Sequence, residues 1–523
     1  MSALPCPTPV EPFAETEREF DSLKTFLVSA EARHLSHSDL ERTLEIKGRE
    51  LLRQLLQAHL TLRGPGEAVP PVRDAQGVTR SRERLQTRTL ESIFGTVAVS
   101  RLGYGAEGTT SVHPLDGELN LPVDKYSHEV RRRVAIEAAK GAFEEGVQTL
   151  KTYTGAHVPK RQFEELVVRA AQDFDAFYET RQACAQAAPH TGPILVLTVD
   201  GKGVVMRHED LREATQKAAA TRANTFTARL GQGRRLHAKR IASVAAVYTI
   251  EPFVRTPDEI FPSAGTTAES TSRPPPEHKR VWASLEHTPE EVITGMFDEA
   301  HHRDPRHRKT WVALVDGNLT QIELLDKLAT QRQRPLQLIV DFIHVAQYVW
   351  DASRAFSSES QARDAWVMTR LLEILRGNAS GVAAGMRRSA TCRELAANDR
   401  KPVDQCADYL LNYAPYLRYD RALAQGLPIA TGVIEGACGH LVEVRMNLTG
   451  ARWTLQGAEA VLRLRALRSS GDFEDYWVFH EACEYQRNHA SLYADEHVPA
   501  TVQPKSSTSR PRRHLKLVKK QRP

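Results

Sequence analysis

The chain has 523 residues, and its 70 lysines and arginines against 65 aspartates and glutamates give a formal net charge of +5. Hydrophobic residues make up 41% and charged residues 26%, which argues against wholesale disorder. No apolar run reaches the roughly 18 residues of a membrane-spanning helix, and the acidic N-terminus is unlike a signal peptide. We therefore expect a cytoplasmic protein with no membrane partner. Six cysteines without a CxxC pair argue against a structural zinc site or a disulfide framework.

The N-terminal part is predicted to be mainly helical, with one β-hairpin. Leucines at helical spacing predict helices at 17–33 and 38–62, with Ser38 as the N-cap of the second. Residues 86–104 are rich in Thr, Val and Ile on both sides of Gly95, which predicts two strands. The segment TGAHVP separates predicted helices at 142–153 and 160–178. This pair resembles a helix-turn-helix with Arg161 at the start of its second helix; a plain helical hairpin is the alternative.

Short apolar segments after residue 192 predict the strands of an α/β sheet that is covered on both faces. They lie at 193–199, 240–249, 280–284, 311–315 and 336–340. A helix is predicted at 319–330, and the pattern from 352 to 427 is wholly helical, which indicates an insertion. A further helix is predicted around 431–446, with Thr431 as its cap.

Three aspartates directly follow predicted strands, where ligands bind in α/β sheets. Asp200 and Asp316 each precede a glycine, which we expect to let the backbone turn away, and Asp341 follows the last strand. A single such Asp can also be a turn or helix-cap residue. Carboxylates held close together repel one another unless a cation lies between them, and Mg²⁺ prefers oxygen ligands. Glu435, flanked by small residues on a predicted helix, is the candidate third ligand, and Glu443 is its competitor.

The ordered motifs TVDGKG, LVDGN, DFIH and GVIEG, the last followed by VRMNLTGARW, resemble the DDE transposases of bacterial insertion sequences. The similarity is greatest to the Kra-type group, which is related to Mutator-like transposases. The resemblance implies a ribonuclease-H-like core in which Asp200, Asp316 and Glu435 are the catalytic, metal-binding triad. Asp341-Phe-Ile-His344 is similar to the Cys/Asp-x-x-His signature of the Mutator-like group, which makes His344 a further candidate. The family habit of inserting helices accounts for the 119 positions from Asp316 to Glu435.

The resemblance implies metal-dependent cleavage at insertion-sequence ends and strand transfer into target DNA. It implies two Mg²⁺ ions, replaceable by Mn²⁺, with Asp200 between them. Terminal inverted repeats and target DNA are the implied partners of a homodimer or larger assembly at the nucleoid. The alternatives are a nuclease of the same fold that does not join, an inactive DNA-binding protein, and a small-molecule enzyme with DGKG as a phosphate-binding turn.

Basic clusters beside the predicted site are candidates for DNA contact. One lies at 230–240 and another follows Glu435, where Trp453 is a candidate for stacking on an unpaired base. A solvated charged surface is the alternative for each cluster, and a core position is the alternative for Trp453. The tail from Lys505 carries only basic charges and is predicted to be a disordered arm. The predicted DNA-binding residues are Arg161, Arg234, Arg235, Lys239, Arg240, Arg445, Arg452 and Trp453.

These patterns predict six regions along the chain. They are an N-terminal helical region (1–85), the hairpin and helical DNA-binding region (86–190), the first part of the core (191–351), the helical insertion (352–427), the last part of the core with the Glu435 helix (428–475), and a C-terminal region with the basic tail (476–523).

Overall fold

A computed structural model describes residues 13–184, 191–220, 238–261, 273–357, 359–448 and 450–502. Arg234, Arg235 and the basic tail from Lys505 lie outside the described residues. The described residues divide into two compact units. The first unit falls within Met1–Arg133, Val147–Pro159 and Glu481–Pro523, and the second within Val134–Gly146 and Lys160–His480.

The first unit contains helices and a hairpin, as the sequence predicts. Its elements are α1 (Ala14–Val28), α2 (Ala30–His34), α3 (His37–Leu62), β1 (Arg82–Ser92), β2 (Gly95–Gly105) and α4 (Pro114–Glu118). β1 and β2 pair antiparallel around a two-residue turn, with Ser92 opposite Gly95. The predicted cap Ser38 is wrong: Ser36 has the extended backbone that a cap needs, and its hydroxyl accepts from the Asp39 amide.

The second unit holds the sheet and most of the helices. Two helices, α5 (His128–Lys140) and α6 (Phe143–Tyr153), contribute residues to both units. The elements up to the last strand are α7 (Lys160–Ala170), α8 (Phe174–Ala183), β3 (Ile194–Val205), α9 (Glu213–Ala220), β4 (Lys239–Ile250), α10 (Pro257–Ile260), β5 (Glu277–Ser284), α11 (Pro289–Arg303), β6 (Thr310–Val315), α12 (Leu319–Gln331) and β7 (Gln337–Val340).

Helices make up the rest of the second unit. They are α13 (Phe342–Ser353), α14 (Ser360–Leu375), α15 (Ala379–Cys392), α16 (Ala397–Asn412), α17 (Tyr419–Ala424), α18 (Gly432–Ala437), a π-helical segment (Cys438–Glu443), α19 (Val444–Met446), α20 (Leu455–Ser470) and α21 (Phe473–Asn488), which continues into the first unit. The described residues of 352–427 contain no strand. The predicted helix at 160–178 is broken into α7 and α8.

The five strands form a mixed sheet of order β5-β4-β3-β6-β7. β4 runs antiparallel to both β3 and β5, whereas β3, β6 and β7 are parallel. All five predicted strands are present, so the chain is an α/β protein. β3 pairs with β4 through Val205, well beyond Asp200. The prediction that Asp200 ends its strand, and that Gly201 turns the backbone away, is therefore wrong.

A buried ion network joins β5 to α11 in the second unit. Glu299 on α11 accepts from Arg280 of β5 and from Nε of Arg303 at 2.7 Å. Burial alone would raise the pKa of Glu299, but the two guanidinium charges outweigh it and lower that pKa to about 2. The carboxylate therefore stabilises the fold at neutral pH.

We expect Glu299→Gln to lower the free energy of unfolding by about 3–5 kcal/mol at pH 7, because both arginines lose their counter-charge. The pKa of Glu299 in the folded protein lies below the ordinary glutamate value of 4.5, so the contribution is present above pH 4.5 and declines as the pH falls towards 2. Urea denaturation should show the wild type and the variant converging over that interval. Asp298→Asn, next on the same helix, removes a half-exposed pair with Arg332 and should cost about 1 kcal/mol or less. Equal losses for both variants would contradict the network.

Among the described residues, no helix combines the length and apolar character that crossing a bilayer requires.

Candidate active site

Three aspartates occupy matching positions along three neighbouring parallel strands: Asp200 lies within β3, whereas Asp316 and Asp341 directly follow β6 and β7. Thr198 of β3 pairs with Leu314 of β6, and Val315 of β6 pairs with Val340 of β7. Continued past these pairs, the register places Asp200 level with Asp316, and Asp316 level with Asp341. Because the carboxyl ends of parallel strands meet at one edge of a sheet, the three aspartates share that edge.

A helix with a π-helical middle section brings Glu435 and Cys438 to this edge. Glu435 is exposed near the end of α18, and Cys438, three residues later, is buried at the start of the π-helical segment. The Cys438 thiol donates to Oδ2 of Asp200 at 3.1 Å, and the Gly201 amide donates to Oδ1 at 2.6 Å. Burial raises the pKa of Cys438, and the charge of Asp200 acts in the same direction. The thiol therefore stays protonated and acts as a donor.

Glu435 also lies beside an aspartate and a histidine. Potential metal-ligand atoms of Asp341, His344 and Glu435 all lie within 4.8 Å of one another; Asp200 and Asp316 are outside this group. Nδ1 of His344 lies 3.5 Å from Oδ2 of Asp341, and it is buried without a hydrogen bond. The Asp341 carboxylate raises the pKa of His344, and the charges of Asp316 and Glu435 act in the same direction. His344 thus lies among carboxylates whose charges favour the protonated form of its ring.

Asp341 is fully buried and links the end of β7 to the start of the Glu435 helix. Its Oδ1 accepts from the Ile343 amide at 2.7 Å, and its Oδ2 accepts from the hydroxyl and amide of Thr431. Burial would raise the pKa of Asp341, but the interactions with His344 and Thr431 lower it overall. Both oxygens of the Asp341 carboxylate therefore already accept hydrogen bonds from the protein. Thr431 occupies the N-cap position of α18, as predicted, but its hydroxyl binds Asp341 and makes no capping hydrogen bond.

Tyrosines of the helical region hold the backbone that carries Asp316. The hydroxyl of Tyr409 donates to the Asp316 carbonyl at 3.1 Å, and that of Tyr413 donates to the Gly317 carbonyl. Gly317 has a φ of +92°, and a Cβ there would lie 2.6 Å from the Tyr409 hydroxyl. Tyr419 donates to the Val340 carbonyl at 2.7 Å. The ends of β6 and β7 are therefore both fixed by tyrosines from outside the sheet.

We expect Gly317→Ala to lower the free energy of unfolding by more than about 1 kcal/mol, because alanine is strained at this φ and collides with Tyr409. Gly385→Ala is the matched control: this glycine lies within α15 and has no atom near an added Cβ, so the change should stabilise by up to about 1 kcal/mol. Denaturant unfolding of both variants measures the difference. Similar stabilities for the two would argue against a required glycine at position 317.

The two candidate glutamates have different surroundings. Glu435 lies with Asp341 and His344, whereas Oε1 of Glu443 lies 3.3 Å from Nζ of Lys202 in an ion pair. Lys202 follows Asp200 on the extended part of β3, and both acids raise its pKa. Glu443 is therefore already neutralised by a lysine, which leaves Glu435 as the better candidate ligand.

The donor set fits a hard divalent cation. Asp200, Asp316 and Glu435 offer carboxylate oxygens, which Mg²⁺ and Mn²⁺ prefer. Mutual repulsion among these acids would be relieved by a bound cation.

Two predicted DNA-binding residues lie in the protein interior. Arg445 is 3% exposed and lies over the rings of Phe143 and Trp453, at 4.9 and 4.7 Å from their centroids. Trp453 is 6% exposed, and its Nε1 donates to the Met446 carbonyl at 3.0 Å. Burial lowers the pKa of Arg445 to about 10. The prediction that these two residues contact DNA is wrong, because their side chains are packed in the core.

Several arginines of this basic cluster instead satisfy backbone carbonyls. The α5 carbonyls of Ala138, Ala139 and Ile136 accept from Arg445, Arg465 and Arg468, respectively. Arg465 also donates to the carbonyls of His440 and Leu441 in the π-helical segment. Carbonyls at a helix C-terminus lack partners within the helix, so guanidinium donors stabilise that end. The cluster braces the helix that carries Glu435.

The other described candidates for DNA contact lie nearer the surface. Arg452 and Lys239 are exposed. Arg161 is exposed and its Nε lies 3.2 Å from Glu165. Arg240 donates to the carbonyls of Leu285 and Asp210 and is half-buried. Arg452, Lys239 and Arg161 thus remain available as predicted contacts.

The geometry defines an α/β protein with a mixed five-stranded sheet. At the carboxyl edge of its parallel strands lies an acidic cluster, which consists of Asp200, Asp316, Asp341 and Glu435. Neither a protein-family model nor a curated protein matches this chain. Among solved structures, the chain is similar to the Drosophila P element transposase strand transfer complex. That similarity has 10% sequence identity and a TM-score of 0.24, and it covers 71% of this chain and 83% of the other. A TM-score this low supports no argument about fold or function.

Proposed function

We propose that the protein is a DNA transposase that cleaves DNA at insertion-sequence ends and joins it to target DNA by a DDE mechanism. The observation that carries the proposal is the strand register that makes Asp200 and Asp316 level on adjacent parallel strands. The Cys438 thiol then ties Asp200 to the helix that bears Glu435. Three acids distant in sequence are thereby directed to one sheet edge.

The sheet supports a ribonuclease-H-like core. β4 alone runs antiparallel to the other four strands, and β3 lies at the centre of the order. Asp200 lies on the first strand of this sheet along the chain, and Asp316 follows the fourth. The family resemblance implies one Asp at the end of the first strand and another at the end of the fourth; Asp316 fits this pattern, whereas β3 continues past Asp200. The helices between Asp341 and Thr431 occupy the place of the implied insertion.

Asp200, Asp316 and Glu435 would hold two Mg²⁺ ions. When bound, such ions neutralise phosphate charge and activate the attacking oxygen. Water adds to phosphorus while the 3′ oxygen of the DNA strand leaves as a hydroxyl; that hydroxyl then displaces a 3′ oxygen of target DNA. No protein nucleophile is required. His344 would contact the phosphate, and Asp341, whose Oδ2 lies 3.5 Å from Nδ1 of His344, would position it.

We expect Asp200→Asn, Asp316→Asn and Glu435→Gln each to reduce Mg²⁺-dependent cleavage and joining to the level without metal, while DNA binding persists. The assay uses purified protein and a plasmid carrying the DNA that flanks the gene on both sides. Glu443→Gln is the matched control on the same helix and should retain activity, because Glu443 pairs with Lys202. Full joining by any triad variant would show that residue to be misassigned. Cleavage without joining by the wild type would favour the nuclease, and neither activity would favour an inactive DNA-binding protein.

We expect Cys438→Ala to raise the Mg²⁺ concentration for half-maximal cleavage by about 10- to 100-fold, the usual effect of removing a hydrogen bond to a metal ligand. Cys438→Ser keeps a donor of similar size and should restore most of the Mg²⁺ affinity. Titrating cleavage against Mg²⁺ for the three proteins tests this. Identical midpoints for the alanine and serine variants would show that the hydrogen bond to Asp200 does not position the carboxylate.

A further inference from the structure

Three tyrosines lie together beside the acidic cluster, and two of their rings form a stack. The rings of Tyr348 and Tyr409 are stacked with centroids 4.1 Å apart and 19° between their planes, and Tyr413 lies 4.6 Å from Tyr409. Tyr409 and Tyr413 are fixed through their hydroxyls to the carbonyls of Asp316 and Gly317. The stack is therefore attached to the turn that carries Asp316.

Tyr348 is the outer ring of this stack and is 38% exposed. It lies four residues after His344 on α13, so the two side chains share one face of that helix, about 5–6 Å apart at Cβ. One face of the ring is taken by Tyr409. Within the described part of the chain, Tyr409 is the aromatic residue whose ring contacts that of Tyr348.

We propose that Tyr348 is a stacking platform for an unpaired nucleobase of DNA next to the phosphate held at the acidic cluster. The proposal rests on the proposed function, because it assigns a substrate subsite to the same site. Because the ring of Tyr348 already stacks on Tyr409, binding a base costs little further side-chain freedom. Stacking of this kind is tolerant of sequence, because every base has an aromatic face.

Two observations favour Tyr348 as the residue that stacks on an unpaired base. The buried Trp453, the aromatic residue that the sequence suggested for stacking, is unavailable. The ring of Tyr348 is exposed, and it stacks on Tyr409, whose hydroxyl donates to the Asp316 carbonyl. A strand whose phosphate lies at Asp316 and His344 would bring its neighbouring base to this ring.

The test compares binding to a short blunt duplex with binding to the same duplex ending in an unpaired thymidine tract. Its first unpaired position carries 2-aminopurine, and Ca²⁺ replaces Mg²⁺ to prevent cleavage. We expect the wild type to prefer the frayed duplex and to quench the 2-aminopurine fluorescence. Tyr348→Ala should reduce that preference by about 5- to 150-fold, as expected for the loss of one stacked base. Tyr348→Phe should retain both signals.

Two further variants separate stacking from packing. Tyr348→Leu keeps bulk against Tyr409 without a flat ring and should lose the preference while keeping the melting temperature near that of the wild type. Trp350→Ala is the matched control: Trp350 is 40% exposed on the same helix, but about 200° around it from Tyr348, and should leave the preference unchanged.

An unchanged ratio of frayed to blunt binding in Tyr348→Ala and Tyr348→Leu would overturn the platform, as would a wild type without any preference. An equal loss in Trp350→Ala would also overturn it. Failure of the proposed function has a different signature, since the wild type would then lack metal-dependent cleavage and joining. A platform failure leaves those activities intact in the wild type.

Discussion

Repulsion among carboxylates is the constraint on which the rest of this site depends. Asp316, Asp341 and Glu435 all act on His344, and Asp200 lies level with Asp316 on the neighbouring strand. Such a group is stable only if donors or cations compensate the charge. The fold places the imidazole of His344 near three of the acids, and it provides a thiol and an amide as donors to Asp200. Bound divalent cations would complete that compensation, as the proposed mechanism requires.

The surrounding helices keep the acids in place despite this repulsion. Tyrosines from α16 and α17 hold the backbone at the ends of β6 and β7, while Arg465 satisfies carbonyls in the π-helical segment next to Cys438. π-Helical segments leave the regular hydrogen-bond pattern and often occur at functional sites. Here an internal arginine compensates for the irregular backbone. The helical region is thus part of the site's support.

The sequence predicted the five strands and the helical stretch because buried apolar runs and helical periodicity are local signals. It did not predict that β3 continues beyond Asp200, because the polar residues Gly201 and Lys202 pair there through a partner strand distant in sequence. It also misjudged Arg445 and Trp453. An arginine that donates to buried carbonyls and an arginine that binds phosphate have the same sequence signature, and only the fold separates them.

Of the supporting residues, Cys438 and the tyrosines were missed. Cys438 lies one helical turn after Glu435, a spacing that could have identified it as a neighbour of the site. Tyr409 and Tyr413 are similarly one turn apart, but nothing local connects them with Asp316. Their role depends on contacts between α16 and the end of β6, which the linear sequence does not reveal.

Anomalous scattering from crystals of the protein soaked in Mn²⁺ tests most directly whether the three acids form a metal site. We expect two Mn²⁺ peaks about 4 Å apart, bound by Asp200, Asp316 and Glu435; crystals with no peak at these residues, or with Mn²⁺ only elsewhere, would contradict this site.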